Sequence, residues 1–384
     1  MKNIYLDNAA TTPVDPRVVE KMLPYLNEYF GNPSSIHSYG RKARVAIEEA
    51  REVIAEFINC KPGEIYFTSS GTEANNFALS GISKTEFIES GRKSIITSLS
   101  EHHSVLETCD KLSTEGFTVR KSTIDKNTSV PVGNITGLID DDTSLISIIH
   151  VNNETGIINN IEELSSQKPE NIFLHTDGVQ SFGKIKTDVK ELGVDAFTAS
   201  AHKIRGPKGV GFAFVKSGTP ISPLIFGGAQ ERNRRGGTEN VPAIVGFAEA
   251  VKIASDEMQS NYEYVKSLQK RFLDGLNSLN DKSFIINGEP LYFPYIVSVT
   301  LLSEYYNNDI EAVLMFLDIN GVAVSSGAAC TSGTLKPSHV LLNAGLKYED
   351  AAGTIRFSFG TQNTPEEIDY TLEIIKKLLH KFRK

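Results

Sequence analysis

"DAFTASAHKIRGPKGVGFAFV", Asp195–Val215, holds two strand-like runs around one turn. Asp195–Ser200 and Gly209–Val215 are short and largely apolar, the composition of strands buried on both faces. Between them, Gly206, Pro207 and Gly209 mark a tight connection. Lys203 follows the carboxyl end of the first run. Ligands of open α/β sheets bind beyond the carboxyl ends of the strands. A lysine desolvated there holds its proton less tightly and becomes a nucleophile. A solvated lysine in a surface turn is the plainer alternative.

Further runs of the same kind lie upstream: Glu64–Thr68, Ser94–Ser98, Ser144–Val151 and Asn171–Asp177. Helix-like stretches such as "EANNFALSGI" separate several of them. Apolar runs alternating with helices predict a mainly parallel sheet covered on both faces, an α/β fold. From about Asn240 the sequence becomes long and helical, with apolar residues at helical spacing. From about Asp281 it mixes strands ("YIVSVTLL", "IRFSF") with helices. That remainder reads as a smaller α+β layer, and 384 residues are too many for one ordinary core.

Composition bounds the function. Hydrophobic residues make up 40% and charged ones 22%, the balance of a soluble globular chain. The net charge of −8 gives no electrostatic footprint for direct nucleic-acid binding. Asp7 interrupts the N-terminus before any secretory apolar core, and no run is long enough to span a bilayer, so no membrane association is expected. Three cysteines without paired spacing argue against a disulfide framework, and a reducing cytoplasmic setting is the expectation. The eight histidines show no metal-ligand spacing.

Several strand ends carry chemistry. In "FTSSGTEANN" a strand gives way to a helix through Ser69–Thr72; exposed amides and the helix dipole suit an anion there, and an ordinary cap with Thr72 is the alternative. Asp177, in "HTDGVQS", ends a central strand, where a buried carboxylate needs a cationic partner; a helix cap is the alternative. Gln180 follows three residues on. "EHHSVLET" supplies His102 and His103, and "VNNETG" supplies Asn152 and Asn153. A strand-end aspartate, a strand-end lysine and a Gly-Thr helix start are the parts a protein needs to bind pyridoxal 5'-phosphate.

"YLDNAATTPVDPRV", "GNPSSIHSYG", "TSSGTEANN", "EHHSVL", "HVNNETG", "TDGVQS", "SAHKIRGPKG", "QERNRRGGTENVPAI", "SSGAACTSG" and "IRFSFG" run in one order along nearly the whole chain. In these motifs the sequence resembles cysteine desulfurases of the NifS/IscS type. The resemblance implies a type I transferase fold for pyridoxal 5'-phosphate, with a seven-stranded, mainly parallel sheet. It implies a large domain at 13–258 and a small domain made of 1–12 and 259–384. It implies Lys203 as the Schiff-base lysine, Asp177 on the pyridinium nitrogen, Gln180 at the ring oxygen and His102 stacked on the ring. Asn153 would lie near the ring oxygen and the substrate carboxylate; Thr72, Ser200 and His202 would hold the phosphate. Thr238 would reach a neighbouring subunit's phosphate, so a homodimer is expected. Arg356 would clamp the carboxylate of L-cysteine, a task suited to its fork of donors.

Cys330 discriminates among reactions, because a fold alone fixes none. It stands in "SSGAACTSGTLKPS", whose small residues predict a mobile, exposed loop over Ser326–Leu335. A free surface thiol is the bland reading. The resemblance makes Cys330 the nucleophile that takes sulfur from L-cysteine as a persulfide, leaving alanine. The spacer to Arg356 resembles the long-loop group, whose cysteine reaches an acceptor protein such as an iron–sulfur scaffold. Cys60 and Cys109 sit in or beside helical sequence and read as small hydrophobes. The chain ends at "LLHKFRK" without the longer tail of the housekeeping members, and Arg205 stands where many relatives have an aromatic. Selenocysteine lyase and a non-catalytic scaffold are the rival readings.

Overall fold

The computed structural model describes residues 3–279, 282–288, 293–326, 330–331 and 334–384. Seven strands form the main sheet: β1 (Ile65–Thr68), β2 (Ser94–Ser98), β3 (Thr118–Ser122), β4 (Thr143–Ile149), β5 (Phe173–Asp177), β6 (Ala196–Ser200) and β7 (Gly211–Val215). Their spatial order is β1-β7-β6-β5-β4-β2-β3. Only β7 runs antiparallel to its neighbours. The carboxyl ends of the other six therefore share one edge. Strand β3 escapes the sequence reading because "TVRKS" puts Arg120 and Lys121 on an edge strand, where charge blunts unwanted pairing.

Helices cover the sheet. α1 (Ser38–Phe57) buries Ala43, Ile47 and Ile54 at helical spacing. α2 (Gly71–Ser90) is capped by Ser70, whose Oγ accepts from Glu73 N, and it stops at Gly91 in the left-handed region. Ser70, rather than Thr72, is thus the cap. α3 is His103–Thr114. Behind the sheet Phe182 sets its ring 5.2 Å edge-on from Phe212 and 5.9 Å from Phe247. Gly178 has no room for a side chain: a Cβ would lie 2.0 Å from Phe197 Cζ. That contact seats the turn that follows Asp177 directly on the core.

α4 (Val241–Ser278) is the long helix expected after Asn240. Its first half packs Val241, Ile244, Phe247 and Val251 into the core beneath the sheet. Its second half puts Val265, Leu268, Phe272 and Leu276 into another core, shared with Ile4, Leu6 and Phe357. That core lies against a small antiparallel sheet of β8 (Phe284–Asn287), β9 (Ile296–Leu301) and β10 (Thr354–Ser358), with β9 central. α5 (His339–Asn343) follows the segment that carries Cys330, and α6 (Pro365–Lys381) closes the chain behind a Thr364–Glu367 capping box. No helix among the described residues is long and apolar enough to cross a membrane.

Candidate active site

The shared sheet edge opens onto a cavity of about 410 Å³. Thr72, His102, Asn153, Asp177, Gln180, Ser200, His202, Lys203 and Arg356 all line it. They come from six elements, so the topology, not sequence proximity, brings them together. Thr238 does not join them: it lines a separate hollow of about 150 Å³ with Arg235 and Glu239. The backbone of Cys330–Thr331 pairs antiparallel with Thr334–Leu335. The side chain of Cys330, and with it the expected mobile loop, lies outside the described residues.

Asp177 enters the lining from the carboxyl end of β5. Its Oδ2 accepts from Asn75 Nδ2 at 2.7 Å and its Oδ1 from Val179 N at 2.9 Å. Asn75 is itself held: Nδ2 also donates to Ser104 Oγ, and Oδ1 accepts from Thr198 Oγ1. His102 caps α3, and its Nδ1 accepts from Ser104 N at 3.1 Å. That places its ring proton on Nε2. Burial keeps His102 neutral by pulling its pKa down, with Asp177 opposing and Lys203 assisting.

Lys203 donates to the carbonyls of Ala9 at 2.5 Å and Ala10 at 2.8 Å. Burial, then the charge of Arg356, pulls its ammonium down to about 8, against Asp177 and Asp7. A minor share of the amine is therefore unprotonated at neutral pH, far more than in a solvated lysine. His202, pulled down to about 4 by burial and the nearby lysines, is neutral, and its Nδ1 lies 3.1 Å from Thr11 Oγ1. At the start of α2, Glu73 N and Ala74 N are taken by Ser70. The amides of Gly71 and Thr72 ahead of them have no protein acceptor among the described residues, and both residues face the cavity. Ser200 and His202 line the cavity beside them, and free amides at a helix start suit an anion.

Arg356, in β10, donates through Nη1 to Asn153 O at 2.8 Å and through Nη2 to Asp7 Oδ1 at 3.0 Å. Its Nε is buried without a partner among the described residues. Arg356 lines the cavity, and a guanidinium there suits an acceptor such as a carboxylate. The asparagine pair is divided. Asn152 uses its side chain inside the turn, on Ser100 O and the amides of Glu154 and Thr155, while Asn153 lines the cavity.

Sequence reasoning missed the residues that hold this set in place. Besides Asn75 and Ser104 these are Glu154, Ser338 and Lys184. Ser338 Oγ donates to Glu154 Oε2, and His339 Nε2 meets Glu101 O at 3.0 Å. Ser325, on the other side of the Cys330 segment, bridges Arg356 by backbone: Arg356 N donates to Ser325 O at 2.7 Å. Both ends of that segment are thus tied to the cavity wall. The other two cysteines are poor nucleophiles, because burial pushes the thiols of Cys60 and Cys109 up to about 12.

The family described as Aminotransferase class-V matches residues 4–371. A protein of Dictyoglomus turgidum named cysteine desulfurase IscS is 43% identical over 391 residues, covering all of this chain and 96% of its own. The chain belongs to the cysteine desulfurases of the class-V aminotransferase family. Another class-V relative, the cysteine desulfurase IscS of Methanosarcina thermophila, is 42% identical over all of this chain and 93% of its own. Among solved structures, a NifS-like protein superposes with a TM-score of 0.90 at 37% identity, covering 99% of this chain and all of that one. SspA in complex with cysteine superposes at 0.82 with 34% identity, covering 94% of this chain and all of that one. The class-V fold is the one described above.

Proposed function

We propose that the protein uses pyridoxal 5'-phosphate to take sulfur from L-cysteine, releasing L-alanine and leaving a persulfide on Cys330. The observation that carries this reading is the convergence of Lys203, lowered to about 8, the strand-end Asp177 and the Arg356 guanidinium on one cavity. The donor set fits the cofactor. Lys203 would hold it covalently, Asp177 would pair with the ring nitrogen, and His102 would cover one ring face. Gln180 and Asn153 would face the ring oxygen; Thr72, Ser200 and His202, with the amides at the head of α2, would hold the phosphate. Bound there, the group supplies an electron sink for charge developing at the substrate Cα.

The chain's own residues do the rest. Arg356 fixes the substrate carboxylate. Lys203 takes the Cα proton and later returns a proton to the product. The thiolate of Cys330 attacks the substrate sulfur, the Cβ–Sγ bond breaks, and its electron pair stays with the carbon fragment. One thiol and L-cysteine thus become one persulfide and L-alanine, with no outside oxidant or reductant.

Several further parts belong to the proposal. Thr238 lines a hollow apart from its own cavity and would serve the phosphate of a neighbouring subunit, so the working form would be a homodimer. The large domain spans 13–258, and the small one comprises 1–12 and 259–384; the two cores along α4 support that division. Free Cys60, half-buried, and free Cys109, buried, fit a reducing cytoplasm. The persulfide would pass to an acceptor protein such as an iron–sulfur scaffold. The test is mass spectrometry after a cysteine pulse, beside borohydride reduction of the cofactor-loaded protein. One added sulfur on the peptide with Cys330, equimolar alanine, and a reduced adduct on Lys203 are expected. Sulfide release without alanine, or an adduct on another lysine, overturns the reading.

A further inference from the structure

Lys184 is a buried charged group that the reaction above does not use. It is 7% exposed, and among the described residues it has no ion-pair partner. Its Nζ makes one side-chain hydrogen bond, to Gln180 Oε1 at 3.2 Å. The amine lies 5.8 Å from the ring centre of Phe293 and 5.4 Å from that of Tyr295, a weak substitute for hydration. An ammonium buried among rings costs stability, so a position that keeps one invites a functional account.

Gln180 supplies it. Its Nε2 donates to Ala9 O at 2.9 Å, the carbonyl that also receives Lys203. Gln180 lines the catalytic cavity, whereas Lys184 lines a smaller hollow of about 60 Å³ behind it. The amide is thus a partition: its oxygen meets the lysine and its nitrogen meets Ala9, another residue of the cavity wall. An amide nitrogen has two protons, and Ala9 takes one. The other remains for an acceptor in the cavity. A cation on the oxygen strengthens the donor at the nitrogen, because linked hydrogen bonds polarise one another.

We infer that Lys184 is a positioning residue, which holds the Gln180 amide with its donor end toward the cavity and strengthens that donor for an anionic oxygen of the bound cofactor. The inference rests on the reading that pyridoxal 5'-phosphate occupies the cavity. The charged groups around Lys184 fit the role. Burial, Lys203 and Arg356 together pull it down to about 7, and Arg205 and Glu257 line the hollow it faces. An anion across Gln180 pushes the other way, so cofactor and lysine each favour the other's charged form.

The experiment is a pH titration of the visible absorbance of the cofactor-loaded protein. It compares the parent with K184M, K184Q, Q180A and the double variant K184M/Q180A. A donor and a positive charge at the ring oxygen favour the more anionic form. Their loss moves the midpoint to higher pH, by about one unit for K184M, a tenfold change in proton affinity. K184Q keeps a donor without the charge and lies between. The double variant matches Q180A alone, because Lys184 acts through Gln180. Apoprotein melts guard against misfolding: K184M removes an unpaired buried cation and melts no lower than the parent. A K184M midpoint equal to the parent's overturns the inference, as does a K184M shift that persists in full without Gln180. A parent that shows no cofactor band and no adduct on Lys203 overturns instead the reading on which it rests, and the inference with it.

Discussion

Replacing Arg356 by alanine tests the substrate end of the site. Of the five guanidinium protons, one goes to Asn153 O and one to Asp7 Oδ1, and the buried Nε–H goes to no protein atom among the described residues. A substrate carboxylate can take the remaining Nη protons as a fork. The side chain is only 7% exposed, so the pair is poorly screened. Removing one member of such a pair costs about 2–5 kcal/mol. At about 3 kcal/mol, kcat/KM for L-cysteine falls roughly a hundredfold. R356K keeps the charge but loses the fork, and is expected to fall about tenfold. The backbone bridge to Ser325 does not depend on the side chain, so the strand pairing survives. The assay is alanine production against cysteine concentration, with cofactor absorbance as the control for an intact site. R356A with kcat/KM within threefold of the parent would refute the assignment, and so would loss of cofactor binding in step with activity.

Other outcomes follow from the same geometry. C330A is expected to load cofactor and exchange the Cα hydrogen of L-alanine with solvent yet gain no sulfur, while C60A and C109A match the parent; sulfur on Cys60 or Cys109 refutes this by mass spectrometry. Burial pushes Glu101 up to about 8, despite hydrogen bonds from Ser98 Oγ and Ile149 N. The folded chain therefore keeps a proton that the unfolded chain releases near 4.5, and stability is lost as pH rises from there toward about 8. E101Q should gain on the parent in apoprotein melts across that window and converge with it at the acid end; parallel curves would contradict the assignment. R51A breaks a buried fork to both oxygens of Glu231, each at 2.9 Å, and should lose about 3–5 kcal/mol in denaturant unfolding. A loss below about 1 kcal/mol would mean that the pair relaxes into water.

The strands legible in the sequence are those that the core makes apolar. β4, β5 and β6 are each buried along nearly their whole length, and their composition says so. β3 is an edge, and its Arg120 and Lys121 hide it. The same divide runs through the site. Lys203, Asp177 and His102 stand at turns directly after strand-like runs, where period and punctuation locate them. Asn75 lies inside a helix among other polar residues, and nothing local separates it from a solvated neighbour. Its function comes from Asp177, 102 residues away. Glu154 meets Ser338 across 184 residues. Lys184, in "SFGKIK", has the sequence of a surface lysine and the surroundings of a core residue. Residues that line the cavity at strand ends are marked by the chain's own turns; residues that hold them are marked only by partners the fold supplies.

The two ties beside the cavity, Ser325 to Arg356 and Ser338 to Glu154, turn the segment between them into a leash of fixed length. Cys330 stands five residues beyond Ser325. At about 3.3–3.6 Å per residue, no path of the chain can carry it more than roughly 18 Å from that anchor. A thiol confined to such a volume meets the cavity at an effective concentration in the millimolar range or above, so its encounter with bound substrate needs no search through bulk solvent. The same leash sets the terms of delivery. An acceptor of the proposed persulfide would have to bring its own sulfur inside that radius.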